Sequence, residues 1–224
     1  MKIQAAIFDV DGTLVDSVDL HAKNWQRVLA EYGKDIPYDE VRSQIGKGSD
    51  TLLPAFFDQA ELPEIKEKIS KRRDALFKEE YLAQVKAFPK VRELFERLRA
   101  DGIKIALASS GKTEEIEHYQ KLLNVADAVD VVTTSEDAEK SKPHPDIFQA
   151  ALDKLGKSVV PVNAFAIGDT PYDADAAGKL GLRTVGMLCG GFSEESLREG
   201  GASVIFRDPA DLLARYEQTP FATA

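Results

Sequence analysis

The chain has 224 residues, with 29 Lys and Arg against 38 Asp and Glu and a formal net charge of −9. With 43% hydrophobic and 30% charged residues, this is globular composition, and the acidic balance argues against non-specific binding to nucleic acid or to anionic membranes. The single cysteine, Cys189, excludes an intrachain disulfide framework and suits a reducing, cytoplasmic setting, and no apolar run approaches the roughly 18 to 20 residues that span a bilayer. Residues 1–4 lead straight into a short apolar run followed by acids, which is not the pattern of a secretory leader.

The first apolar run, residues 3–8, reads as a buried strand. A stripe of Val18, Trp25, Val28, Leu29 and Tyr32 comes next, predicting a helix that stops at Gly33. A second helix is expected near Tyr38, a third over 51–57 and a long fourth over 63–81, where Ile65, Ile69, Leu76, Phe77 and Tyr81 share a side. Between about residues 16 and 83 no strand pattern occurs. Beyond it, apolar runs at 103–108, 129–133, 164–167, 184–187 and 204–206 predict five more strands. They are nearly continuous rather than alternating, as in parallel strands covered on both faces. Helical patterns lie between most of them: Val91, Leu94, Phe95 and Leu98 after Pro89, then Ile147, Phe148, Ala151, Leu152 and Leu155 after Pro145. Asp208-Pro209 is the start signal of a last helix. The expected fold is α/β, a Rossmann-like doubly wound parallel sheet with an inserted all-helical cap. The expected domains are a core of 1–15 with 84–224 and a cap of 16–83.

In open α/β sheets ligands bind beyond the carboxyl ends of the strands. Those ends deliver Asp9-Val10-Asp11-Gly12-Thr13, then Ser109-Ser110-Gly111, and then Gly168-Asp169-Thr170-Pro171-Tyr172-Asp173, with Ser141-Lys142-Pro143 preceding the 164–167 strand. Carboxylates this concentrated repel one another unless a cation lies among them. An oxygen-loving ion such as Mg²⁺ suits a set without histidine or cysteine. A lysine and a serine hydroxyl then suit a phosphate. Residues 106–113 end like a phosphate-binding Gly-rich loop, but Ala106 stands where that pattern needs glycine, inside a strand.

The run Asp9-Val10-Asp11-Gly12-Thr13-Leu14-Val15-Asp16-Ser17 resembles the first motif of the haloacid dehalogenase superfamily. Ser109 matches its second motif, Lys142 its third, and Asp169 with Asp173 its fourth, in the family's order and over nearly the whole chain. The resemblance implies that Asp9 attacks phosphorus and forms an aspartyl-phosphate, while Asp11 protonates the leaving oxygen and then deprotonates water. It also implies that Asp9, the backbone carbonyl of Asp11 and Asp169 hold Mg²⁺, with Asp173 supporting it through water or instead capping the following helix. Ser109, Ser110, Lys142 and the backbone at Gly12 would hold phosphoryl oxygens. The insertion resembles the family's C1-type cap, in which Lys47, on the loop 45–49, is a candidate substrate contact. His21 and Trp25 match positions used near substrate in the superfamily's sugar-phosphate mutases.

The activity so implied is Mg²⁺-dependent hydrolysis of a small phosphate ester, phosphoglycolate being the family-average example. The partner is then a small phosphorylated metabolite. A β-phosphoglucomutase-like mutase or sugar phosphatase is the alternative, opposed by the fourth motif, where such enzymes usually read Glu-Asp-Ser. A phospho-acceptor receiver domain uses similar groups but is about half as long, lacks a cap and places its acceptor after an interior strand.

Overall fold

The structure, a computed structural model, describes residues 2–222. The chain forms β1 (Ala5–Phe8) and the two-residue β2 (Val15–Asp16), then the helices α1 (Val18–Glu31), α2 (Tyr38–Ser43), α3 (Ser49–Leu52) and α4 (Leu62–Leu76). After β3 (Lys86–Ala87) come α5 (Val91–Ala100), β4 (Lys104–Ala108), α6 (Thr113–Leu123), β5 (Val131–Thr133) and α7 (Asp146–Leu155). The chain ends with β6 (Ala164–Gly168), α8 (Pro171–Gly178), β7 (Arg183–Met187), α9 (Glu194–Glu199), β8 (Ala202–Phe206) and α10 (Pro209–Ala214).

Six strands make one sheet in the order β5-β4-β1-β6-β7-β8, and every pairing is parallel. The strands read as apolar runs because both faces are covered. Ala6, Phe8, Ile105, Leu107, Phe165 and Ile167 face an apolar layer from α5, α6 and α10. The alternate residues Ala5, Ile7, Ala106, Ala108, Ala164 and Ala166 face α7 and α8. Truncating a buried ring such as Phe8, which packs on Phe95 with centroids 4.9 Å apart, would cost on the order of 3–5 kcal/mol. Ala106 lies buried within β4, so no phosphate-wrapping loop forms there. The predicted start signal for the last helix holds: the Asp208 side chain accepts Asp211 N–H, and Pro209 opens α10. The chain winds outward from β1 in both directions, which places a crevice at the carboxyl end of β1. Among the described residues no helix is long and apolar enough to cross a membrane.

The inserted helices bury their own apolar cluster, in which Val18, Trp25, Val28 and Leu29 of α1 meet Val41, Leu52, Leu53, Phe56, Ile69 and Leu76. Two details depart from the expectation. The helix expected over 51–57 is α3 followed by a tight 3₁₀ turn, Leu53–Ala55, since Pro54 has no N–H to continue an α ladder. The helix expected over 63–81 leaves α geometry after Leu76 and passes through a π turn, Phe77–Tyr81, which places the Phe77 ring under His21 at 4.1 Å. Strands β2 and β3 pair antiparallel, Val15 with Ala87 and Asp16 with Lys86, where the chain leaves the sheet layer and returns to it. Two-residue strands have no periodicity to read.

Candidate active site

Asp9 is the first residue past β1, and its N–H donates to the Ile167 carbonyl at 2.8 Å. Its Oδ1 accepts from the Lys142 ammonium, which also lies 2.7 Å from Asp173 Oδ1 and donates to the Ala108 carbonyl at 3.2 Å. Asp169 directly follows β6, and its Oδ1 accepts from Thr13 Oγ1 at 2.9 Å. Asp9, Asp169 and Asp173 present ligand atoms within 4.8 Å of one another, and all three are buried with Lys142. Three carboxylates against one ammonium leave two negative charges uncompensated when all are ionised. Burial therefore dominates: it pushes Asp9 up to about 7 against the pull of Lys142, with Asp173 and Asp11 adding to the rise. Asp169 is driven well above the carboxylate range by burial, then by Asp9 and Asp173. For Lys142 burial acts downward, yet Asp173 and Asp9 outweigh it and hold the ammonium charged.

This set fits a divalent cation. Asp169 Oδ2 is buried without a hydrogen-bond partner, and two glycines leave room around it. A Cβ at Gly12 (φ +81°) would stand 2.3 Å from that oxygen, and one at Gly190 1.7 Å. All the donors are hard oxygens. Asp169 precedes α8 and so does not share a helix face with Asp173. Asp173 is the third residue of α8 and faces back toward the strand ends: its Oδ2 accepts the Thr170 N–H at 3.1 Å, and its own N–H donates to Thr170 Oγ1 at 3.2 Å. The cap and the site contact are thus made by one side chain. Its Oδ1 meets Lys142 as an ion pair, without hydrogen-bond alignment.

The Asp11 carboxylate is not part of this cluster. Its Oδ1 accepts from Ser17 Oγ at 2.6 Å and meets His21 Nε2 at 2.8 Å, and its Oδ2 accepts from Ser109 Oγ at 3.4 Å. Burial alone would raise Asp11, but His21, Ser17 and Arg73 together hold it down at about 2. Arg73 Nη2 donates to His21 Nδ1 at 2.6 Å, which leaves the imidazole proton on Nε2, facing Asp11. Glu115 Oε1 lies 3.6 Å from His21 Nε2, and its other oxygen 4.0 Å from Arg73. The guanidinium already supplies the positive charge in this second group, which makes it an ion-pair network and not a second metal site.

Ser109 Oγ also accepts the Gly111 N–H at 2.9 Å, and Ser110 Oγ is buried without a partner on the wall of a cavity of about 380 Å³. Asp9 and Asp11 open onto the same cavity from the sheet, and Lys47, Asp50 and Arg73 from the helical insertion. Lys47 Nζ donates to Gln44 Oε1 at 2.5 Å and lies 4.6 Å over the Tyr172 ring, with burial lowering its proton affinity. His21 and Trp25 also line this space. Arg73, Glu115 and Asp50 had no sequence signal. Arg73 sits in the run Lys71-Arg72-Arg73-Asp74, which reads as a solvated face.

The family model for haloacid dehalogenase-like hydrolases matches residues 6–187. A phosphorylated carbohydrates phosphatase of Thermotoga maritima is 29% identical over 212 residues, covering 94% of this chain and 97% of its own. A phosphoglycolate phosphatase of Aquifex aeolicus is 28% identical over 193 residues, covering 84% and 86%. The crystal structure of a hydrolase from Pseudomonas syringae superposes with a TM-score of 0.86 at 28% identity, over 96% of this chain and 98% of that one. The chain belongs to the haloacid dehalogenase-like hydrolases and is a phosphatase.

Proposed function

We propose that the protein hydrolyses small phosphate monoesters in a Mg²⁺-dependent reaction through an aspartyl-phosphate on Asp9. The observation that carries this reading is the meeting of Asp9, Lys142 and Asp169 at the strand ends, behind a cavity onto which Asp9 and Asp11 open. An Asp9 oxygen attacks phosphorus, the bond from phosphorus to the ester oxygen breaks, and Asp11 delivers a proton to the departing alkoxide. Water then attacks the aspartyl-phosphate, Asp11 takes its proton, and inorganic phosphate leaves with Asp9 restored. The resting Asp11 carboxylate is ready for the second half. For the first half, a phosphate dianion arriving beside it opposes its ionised form and raises its proton affinity. Lys142, Ser109, Ser110 and the backbone at Gly12 hold phosphoryl oxygens and orient them for in-line attack. Asp9, Asp169 and Asp173, with the Asp11 carbonyl, would hold the Mg²⁺ ion, which would supply positive charge to offset that of the phosphoryl group.

The leaving group occupies the remainder of the cavity. The wall there carries both signs of charge, from Lys47, Asp50, Arg73 and Glu115, with Trp25 as an apolar face. A two-carbon acid such as glycolate would leave most of that volume to water, whereas a hydroxyl-rich leaving group could use donors and acceptors together. The names of the Thermotoga and Aquifex relatives span these two kinds of ester. A phosphate-release screen over phosphoglycolate, sugar phosphates and pyrophosphate, with Mg²⁺ and with chelator, tests the reading. Turnover restored by Mg²⁺ and removed by chelator is expected, and full activity in metal-free buffer would overturn it. His21 and Trp25, both on the cavity wall, are the residues that favour a mutase, and the same preparation assayed for isomerisation of β-glucose 1-phosphate compares the two rates directly.

A further inference from the structure

The segment 42–51 of the helical insertion rests on three places of the core. Arg42 Nη2 donates to the Gly190 carbonyl at 3.0 Å, and the Tyr172 hydroxyl donates to the Ser43 carbonyl at 2.7 Å. The third contact is of a different kind. Asp50 Oδ2 accepts the Ser141 N–H at 3.0 Å, while Thr51 Oγ1 lies 3.0 Å from the Lys142 carbonyl and 3.2 Å from that of Gly48. Two adjacent residues of the insertion therefore hold the main chain on both sides of the Ser141–Lys142 peptide. The far end of the Lys142 side chain is fixed separately, by Asp9, Asp173 and the Ala108 carbonyl. Residues 139–145 belong to no helix or strand: the core holds this loop through Lys140 N–H on Asp146 Oδ2, His144 N–H on the Ser141 carbonyl and Lys179 Nζ on the Pro143 carbonyl, and the insertion adds the two contacts that flank the lysine itself.

Gly48 makes the approach close. A Cβ there would lie 2.0 Å from Ser141 Oγ and 2.6 Å from Ser141 Cβ. Its φ is −78°, an ordinary value for any residue, so the missing side chain answers to space and not to backbone conformation.

We propose that Asp50 and Thr51 are positioning residues for Lys142. The phosphoryl-binding lysine is then held fully in register while the insertion is seated on the core, and seating completes the phosphate site as well as enclosing the leaving group. The inference rests on the reading of Lys142 as a phosphoryl ligand. A hydrogen bond to a carboxylate is among the stronger ones in a protein, and losing it frees the peptide by more than a neutral contact would.

The experiment measures competitive inhibition by inorganic phosphate, which reports the phosphoryl site without any leaving group, together with kcat and KM for p-nitrophenyl phosphate. Asp50→Ala should weaken phosphate inhibition about tenfold and lower kcat, whereas Asp50→Asn, which keeps an acceptor oxygen, should return it to within about twofold of the wild type. Gly48→Ala should reproduce the Asp50→Ala loss by lifting the segment off Ser141, and Ser141→Gly in that background should recover it. Thr51→Val supplies the same readout if Asp50→Ala does not fold. Unchanged phosphate inhibition in Asp50→Ala and Gly48→Ala, with only the KM of the ester altered, would overturn the inference by placing Asp50 on the leaving group. A wild-type enzyme that turns over but is not inhibited by phosphate would instead remove the role given to Lys142, and that result is visible before any variant is made.

Discussion

Without metal, the site should make the fold less stable as pH rises, and Asp9→Asn should remove the share of that dependence that belongs to Asp9. Asp9 is buried and carries a proton affinity near 7 in the folded chain, against an ordinary value of 3.8. A folded-state pKa raised above the unfolded one favours folding fully at pH below the unfolded value, and that contribution is lost as pH rises through the folded value. For Asp9 the window is therefore from about 4 to about 7. The whole shift corresponds to roughly 4 kcal/mol, of which roughly 3 kcal/mol falls between about pH 5 and about pH 8. Asp169 is shifted in the same direction and adds to the slope. Lys142 is shifted upward from an already high value, so it stays charged across this range and contributes no slope.

Asparagine has nearly the shape of aspartate and cannot ionise, and Lys142 keeps Asp173 at 2.7 Å when Asp9 is neutral. Urea unfolding of both proteins in chelator, at about pH 5 and about pH 8, measures the difference. The wild type should lose roughly 3 kcal/mol more than Asp9→Asn over that interval, while the variant should have no phosphatase turnover. Equal pH slopes for the two proteins would refute the reasoning, because the buried carboxylate would then not be what opposes folding at high pH.

Mg²⁺ should reverse the effect, since it binds the ionised cluster of the folded state alone. Calorimetric titration near pH 7 in buffers of different ionisation enthalpy should show protons released on Mg²⁺ binding, and heats independent of the buffer would speak against raised carboxylates. Gly190→Ala drives a methyl group into Asp169 at 1.7 Å, an overpacking cost of about 1–3 kcal/mol, which should raise the Mg²⁺ concentration for half-maximal rate by about 5- to 150-fold. An unchanged Mg²⁺ requirement would put the ion elsewhere. Asp11→Asn should lose about 10² to 10⁴-fold in kcat with an alkyl phosphate and less with p-nitrophenyl phosphate, whose leaving group needs little protonation. Equal losses would count against the acid role. Lys47→Ala should raise KM for an ester with an anionic leaving group more than for p-nitrophenyl phosphate, and a matched fall in kcat for both would place the lysine at the reacting phosphoryl instead.

What could be read from the sequence was what the chain writes locally. The sheet strands were legible because both faces of each are covered, which makes β1 and β6 uninterrupted apolar runs. Asp9, Asp11 and Asp169 were legible because each lies just past a strand. The unread parts depend on which way a side chain turns. Arg72 and Arg73 are neighbours in one basic run, yet Arg72 pairs with Glu31 at the surface while Arg73 turns inward, half-buried, against His21. One residue is about 100° around an α-helix, and only the packing of α4 against α1 decides which arginine turns inward. The π turn after Leu76 has the same origin, since Phe77-Lys78-Glu79-Glu80-Tyr81 contains no glycine or proline to announce it.

His21 bears on specificity through the same kind of side-chain placement. Its position in the sequence makes it a candidate substrate contact, but its two ring nitrogens are already used, Nε2 by Asp11 and Nδ1 by Arg73. A leaving group that hydrogen-bonded to His21 would have to break one of these. Losing the Arg73 bond leaves the contact between His21 Nε2 and Asp11 in place. Losing the Asp11 bond removes one of the contacts that hold Asp11 ionised and lets its proton affinity rise. Only the second change prepares Asp11 to donate a proton. An ester that draws His21 Nε2 away from Asp11 would therefore favour its own leaving-group protonation, whereas one that takes only the Arg73 bond would leave the Asp11 contact intact.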